Sequence, residues 1–259
     1  MPRTTAAPGV TVASRLLGIL GSFDPEHRVL TLSELARRAG LTLPTAHRLV
    51  GELVAWGALR RTPADGYAIG RRLWDLGLLA PAETALREVA SPFLQDLYAA
   101  TRVTVHLAVR EGDQVLYLDR LSGNASLPII STIGSRLPIH TTGVGKVLLA
   151  HAPATVCAEV LGRPLPRATP YTVTSPARLR QQLDRVLSDG FATTGEEMTL
   201  GAYSIAVPVA AGDRTVAALG VVVPNLRGRA RLLPAMRVAA HGIGRALAAA
   251  AYDPERTCG

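Results

Sequence analysis

Residues 31–70 read TLSELARRAGLTLPTAHRLVGELVAWGALRRTPADGYAIG, and this stretch decides the fold of the N-terminal part of the chain. Thr31 and Glu34 form a capping box, in which the hydroxyl accepts from the third amide of a helix and the carboxylate reaches back to the cap. Leu32, Leu35, Ala36 and Ala39 mark that helix's buried face, and Gly40 turns the chain. Thr42 is placed to cap a second helix, with Pro44 in the first turn, where a missing N–H costs nothing. At about 100° per residue, Ala46, Leu49, Val50 and Leu53 cluster on one side of it, and Pro44, Thr45, His47, Arg48, Gly51 and Glu52 lie on the other. Residues 58–61 and 67–69 then flank Thr62-Pro63-Ala64-Asp65-Gly66, the pattern of a β-hairpin. Helix, glycine turn, helix and basic hairpin make a winged helix-turn-helix.

That layout implies double-stranded DNA as a partner. Base edges are read by hydroxyl, imidazole and guanidinium groups near the front of the second helix. Arg48 suits bidentate contact with a guanine, with Thr45 and His47 beside it. Thr31, Ser33, Thr42 and Pro44 complete the DNA-facing set, and Arg60 and Arg61 on the hairpin suit phosphates. Glu52 would sit badly against phosphates and is expected outside the groove or paired. Upstream, Val12, Leu16, Ile19, Leu20 and Phe23 form the stripe of an amphipathic helix that Pro25 stops.

The chain has 259 residues, 48% of them apolar, enough for one large domain or two ordinary ones. Its net charge of +8 fits an anionic partner. Every basic residue except Lys146 is arginine in an alanine-rich chain, however, so basicity by itself is a weak pointer to nucleic acid. Residues 1–80 carry ten arginines against six acids, a denser excess than in the remainder. Cys157 and Cys258 make neither a disulfide framework nor a metal knuckle, so no metal or cofactor is expected. Neither a secretion signal nor an apolar run of membrane-spanning length is visible, and a soluble cytoplasmic protein is expected, with no membrane partner.

Four segments are expected: residues 1–70 as the DNA-binding domain, 71–83 as a linker helix, 84–252 as a second domain and 253–259 as a tail. Within the second domain, 86–98 is helical in pattern, interrupted by Pro92. Residues 103–109 and 115–118 flank a turn at Glu111-Gly112-Asp113, and 204–210 and 216–223 form another hairpin. Helices fit 144–151, 154–161, 176–188 and 230–251. Strands in hairpins with helices between them predict an antiparallel α+β sheet. Gly143-Val144-Gly145-Lys146 is not a phosphate loop, because that motif needs glycine at His140 and a hydroxyl at Val147. Two readings remain open for it: a helix start favouring a small anion, or a tight glycine turn before a packed helix.

Three blocks in order and spacing resemble the IclR family of bacterial transcription regulators over nearly the whole chain. The first is LSELARRAGLTLPTAHRLVGELVAWGALRR with the wing ending Tyr67-Ala68-Ile69-Gly70. The second is IGSRLPIHTTGVGKVLLA at 133–150, and the third GAYSIAVPV at 201–209. The resemblance implies a linker helix, a C-terminal domain like GAF-type ligand sensors, a homodimer or homotetramer, and response to a small organic metabolite. It also implies an effector pocket lined by Gly143, Val144, Gly145, Thr194, Ser204, Gly220 and Val222. Ser204 stands where many relatives carry cysteine, and Thr194 where some carry an acid. Gly220 and Val222 replace hydroxyl-bearing residues, which implies a roomier, less polar pocket and an effector larger and more apolar than a two- or three-carbon acid.

The expected function is therefore a ligand-responsive regulator, a repressor released or modulated by an organic acid or larger apolar metabolite, on a near-palindromic operator. The alternative is a small-molecule enzyme with an accessory nucleic-acid-binding domain. Against it, no H-E-x-x-H, G-x-S-x-G or dinucleotide G-x-G-x-x-G appears, and no catalytic residues are assigned. His106, His140, His151 and His241 are scattered and read as surface or satisfied core residues, and Glu196-Glu197 as a solvated turn. An architectural DNA protein would have no use for so large a second domain.

Overall fold

The computed structural model describes residues 11–24, 26–77, 81–123 and 129–250. It divides into two compact units, residues 1–80 and 81–259. Of the expected 71–83 linker, 71–77 is helical and belongs to the first unit, 78–80 lie outside the described residues, and 81–83 open the second. The expected tail, 253–259, also lies outside them.

In the first unit, α1 (Val12–Leu20) is capped by the Thr11 hydroxyl, which accepts from the Ser14 amide. It ends at Gly21, short of Pro25, which itself lies outside the described residues. The final turn is tightened by amide bonds from Ser22 to Ile19 O and Phe23 to Leu20 O, which satisfy the last carbonyls without further helix. Of the expected stripe, Ile19 is buried, Leu16, Leu20 and Phe23 pack partly, and Val12 is exposed. The capping box opens α2 (Leu32–Arg38), and Gly40 makes the turn at φ +64°. The predicted face of α3 (Leu43–Trp56), Ala46, Leu49, Val50 and Leu53, is the buried one. Strands β1 (Leu59–Arg61) and β2 (Tyr67–Ile69) pair antiparallel, and Leu30 bridges to Tyr67 at their edge. In α4 (Arg71–Gly77), Arg72 stacks on the Trp56 ring at 4.4 Å and donates to the Trp56 carbonyl, a cation at the C-terminal end of α3.

The second unit is built on one six-stranded antiparallel sheet. Its strands are β3 (Thr104–Glu111), β4 (Gln114–Leu121), β5 (Arg136–Pro138), β6 (Ala192–Gly195), β7 (Tyr203–Ala211) and β8 (Arg214–Val223). Their order across the sheet is β5-β4-β3-β8-β7-β6. Both faces are covered, which is why β8 reads as an almost unbroken apolar run. Val105, Leu107, Ile205, Val207, Leu219 and Val221 join a core with α5 (Pro81–Thr101) and α9 (Arg229–Ala249). On the opposite face, Ala108, Tyr117, Ala206 and Ala218 meet α6 (Gly143–Ala150), α7 (Ala154–Leu161) and α8 (Pro176–Asp189). Helix α5 runs unbroken through Pro92 and past both ends of the predicted segment. Leu86, Ala90, Leu94 and Leu97 on one buried stripe offset the hydrogen bond that proline removes. No described helix is long and apolar enough to cross a membrane.

Candidate DNA-reading face and ligand cavity

The residues expected from sequence to face DNA lie on the surface of the first unit, with one partial exception. Thr31, Ser33, Thr42, Pro44, His47, Arg48, Arg60 and Arg61 are exposed, and Thr45 is half-buried. The Thr31 hydroxyl is already engaged, donating to Glu34 Oε2 at 2.8 Å and accepting from the Glu34 amide. Thr42 occupies the cap of α3 without capping it through its side chain. Pro44 removes one of the two amides a cap hydroxyl ordinarily takes, and Thr42 Oγ1 lies 2.9 Å from Thr45 Oγ1 instead. Glu52 is paired, as expected, and its partner is the proposed base reader itself: Arg48 Nη1 donates to Glu52 Oε1 at 2.6 Å. On the wing, the Arg61 guanidinium lies over the Tyr67 ring.

The second unit holds a cavity of about 60 Å³ between the sheet and the start of α6. Gly143, Val144, Thr194, Ser204, Gly220 and Val222 line it. Antiparallel pairing puts Ser204 opposite both Thr194 and Val222, so a row of residues from three strands shares one face. The Thr194 and Ser204 hydroxyls are hydrogen-bonded at 2.6 Å. Gly143 brings the helix start against them, since a Cβ there would come within 2.5 Å of Ser204 Oγ. Gly145, the remaining expected residue, is not part of the lining. Its amide donates to Thr142 Oγ1 at 3.0 Å, and a Cβ would meet the Ile139 carbonyl at 2.0 Å, so close packing explains this glycine. The inference of extra room at Gly220 is also corrected: a Cβ at 220 would lie 2.6 Å from Val144 Cγ1, so valine fills the space that glycine leaves.

The far side of the cavity was missed in the sequence. His106, Tyr117 and Ser131 line it, and all three are buried. His106 Nε2 lies 3.2 Å from Ser131 Oγ, and its ring meets Tyr117 edge-on at 5.1 Å. Burial, aided by the nearby Arg120 charge, pushes the imidazole down to about 3. Burial likewise raises the Tyr117 phenol above its usual value. Both groups are neutral near pH 7. The available signal was a polar side chain in mid-strand on the same face as Thr104 and Ala108. His140 and His151 are satisfied histidines as expected, hydrogen-bonded to the Pro166 and Val147 carbonyls.

Comparison with known proteins agrees with both units. The model of the IclR helix-turn-helix domain matches residues 12–63, and that of the bacterial transcriptional regulator IclR C-terminal domain matches residues 80–249. The chain belongs to the IclR family. Among IclR-type relatives, the transcriptional regulator XynR of Escherichia coli is 30% identical over 83% of this chain and 86% of its own length. BhcR of Paracoccus denitrificans is 32% identical, over 88% and 82%. A crystal structure of an IclR homolog complexed with 4-hydroxybenzoate, from Microbacterium hydrocarbonoxydans, is 36% identical and superposes with a TM-score of 0.88 over 92% of this chain and 100% of that one. The chain is a DNA-binding transcriptional regulator of the IclR type.

One further contact in this IclR-type sensor overturns an expectation. Glu197 is not in a solvated turn: it is buried, and Lys146 Nζ donates to its Oε1 at 2.5 Å. Burial pushes the Lys146 ammonium below its ordinary value, with Glu197 pulling the other way. Thr172 Oγ1 donates to the Glu197 carbonyl, and Thr169 Oγ1 to that of Glu196, both at 2.7 Å. These bonds fasten the stretch carrying Met198 and Thr199, which line the cavity. No described cluster of His, Cys, Asp or Glu is arranged to hold a metal.

Proposed function

We propose that the chain is a homodimeric or homotetrameric repressor that reads a near-palindromic operator and responds to an organic acid bound in the sensor cavity. Residues 1–70 act as the reading head, 71–83 as the link and 84–252 as the sensor, on cytoplasmic DNA. Paired α3 helices would read half-sites about 10 bp apart, or a multiple of that, with Thr45, His47 and Arg48 at base edges and Arg60 and Arg61 on phosphates. The observation that carries the sensor reading is the cavity's layout. A helix start and the Thr194–Ser204 hydroxyls stand at one end, Val144 and Val222 form an apolar middle, and no described lining side chain is charged. A single carboxylate suits that end, received by the first amides of α6 at Gly143 and Val144. Gly145 is removed from this role because its amide is taken. The bound acid in the Microbacterium relative supports an aromatic acid here.

Footprinting on DNA upstream of the gene, with and without 4-hydroxybenzoate, tests this reading. Two symmetric protected half-sites whose occupancy falls with the acid are expected. A single asymmetric footprint would overturn the dimeric geometry, and indifference to every aromatic acid tried would overturn the sensor assignment.

A further inference from the structure

The β3 side of the cavity, across β8 from the Thr194–Ser204 hydroxyls, has its own chemistry. His106 on β3 and Ser204 on β7 are separated by β8 and offset by two residues, since His106 pairs with Gly220 and Ser204 with Val222. Their backbones are thus about 12 Å apart along the diagonal, so their side chains address opposite ends of a ligand one ring long. Among the described residues the His106 imidazole has one hydrogen-bond partner, the Ser131 hydroxyl. A neutral imidazole offers one donor and one acceptor, and the serine hydroxyl can rotate to complement either. Arg120, opposite His106 on β4, fixes this corner by donating from Nη1 to the Ser131 carbonyl at 3.0 Å.

The chemistry of the corner restricts what it can accept. An ammonium there would be buried with no anionic lining side chain and beside the Arg120 guanidinium, at a cost no neutral donor repays. A hydroxyl both donates and accepts, matching the imidazole and Ser131 together. A bare apolar edge would leave that pair without the partner it could have had. Resting on the cavity being the effector site, we propose that His106 and Ser131 are specificity-determining residues that recognise an un-ionised hydroxyl at the end of the effector remote from its carboxylate. The cavity then selects a hydroxylated aromatic acid over the same acid lacking the hydroxyl.

Calorimetric titration of the full-length protein with benzoate, 4-hydroxybenzoate and 3-hydroxybenzoate tests this, on wild type, Ser131→Ala and His106→Gln. In wild type, one hydroxybenzoate is expected to bind at least about tenfold more tightly than benzoate. Ser131→Ala should shrink that ratio towards one by weakening the hydroxybenzoate alone, and His106→Gln, which keeps a donor and an acceptor, should retain part of it. The far smaller change in Ser131→Ala keeps the test decisive should His106→Gln fold poorly. A wild-type ratio near one, or a ratio untouched by Ser131→Ala, overturns this inference while leaving the sensor assignment standing. Failure of all three compounds to bind wild type overturns the assignment itself, and the inference with it.

Discussion

His106 is neutral in a site where an unfolded histidine would take up a proton. Its folded value is depressed to about 3 from an ordinary 6.5, so the unfolded chain binds more protons between those limits. The stability tied to it is therefore complete above about pH 6.5 and is lost as the pH falls towards 3. Hydrogen-exchange protection factors in β3, corrected for the intrinsic pH dependence of amide exchange, are expected to fall over that window in wild type, and much less in His106→Gln. An equal loss of protection in both would show that other groups control the acid limb. Lys146 and Glu197 pose the converse problem, two charges held deep inside and holding each other. Lys146→Met should cost about 3–5 kcal/mol by stranding the carboxylate, whose Oε2 already lacks a partner. Adding Glu197→Leu should restore most of it, as read by urea denaturation. A double variant no more stable than the single would place the cost in packing. Neither feature was legible along the chain, because Ser131 is 25 positions from His106 and Glu197 is 51 from Lys146.

At the scale of elements, local patterns were read well where one face of one helix settles the answer. The capping box of α2 and the buried face of α3 rest on spacings of three and four residues. Strands β5 and β6 escaped because three or four residues cannot show an alternation, and their place is set by the neighbours they pair with. Helix α3 also shows how magnitudes decide a role. The Arg48–Glu52 pair is exposed, so breaking it to reach DNA costs no more than about 0.5 kcal/mol, whereas a bidentate guanine contact is worth about 1–3 kcal/mol. Arg48→Ala is expected to weaken operator binding by that larger amount and to relax one base position. Equal weakening across unrelated sequences in a binding-site selection would make Arg48 a phosphate contact.

For the molecule as a whole, regulation requires that the sensor's occupant and the operator bias the same equilibrium. The effector can shift operator affinity only by its differential affinity for the two arrangements, and the coupling must be reciprocal. If 4-hydroxybenzoate weakens operator binding by some factor, saturating operator should weaken 4-hydroxybenzoate binding by that same factor, measured by titrating the ligand into protein with and without operator duplex. Unequal factors would reveal a second ligand site or a change in assembly. The sequence carried the output side of this coupling in forty contiguous residues, while the input side is assembled from segments scattered between residues 106 and 222; its α6, β6, β7 and β8 positions were implied by the family resemblance, and its His106–Ser131 corner became visible only once folded. Val144 and Gly220 bear on how such an input diversifies. Because the valine methyl occupies the volume of the missing side chain, position 220 cannot gain bulk while valine stands at 144. A lineage that adds a side chain at 220 must first surrender volume at 144, and that exchange moves this part of the cavity wall from helix to sheet. New effectors would then be reached through paired exchanges at constant volume, a route along which the fold is conserved while the ligand changes.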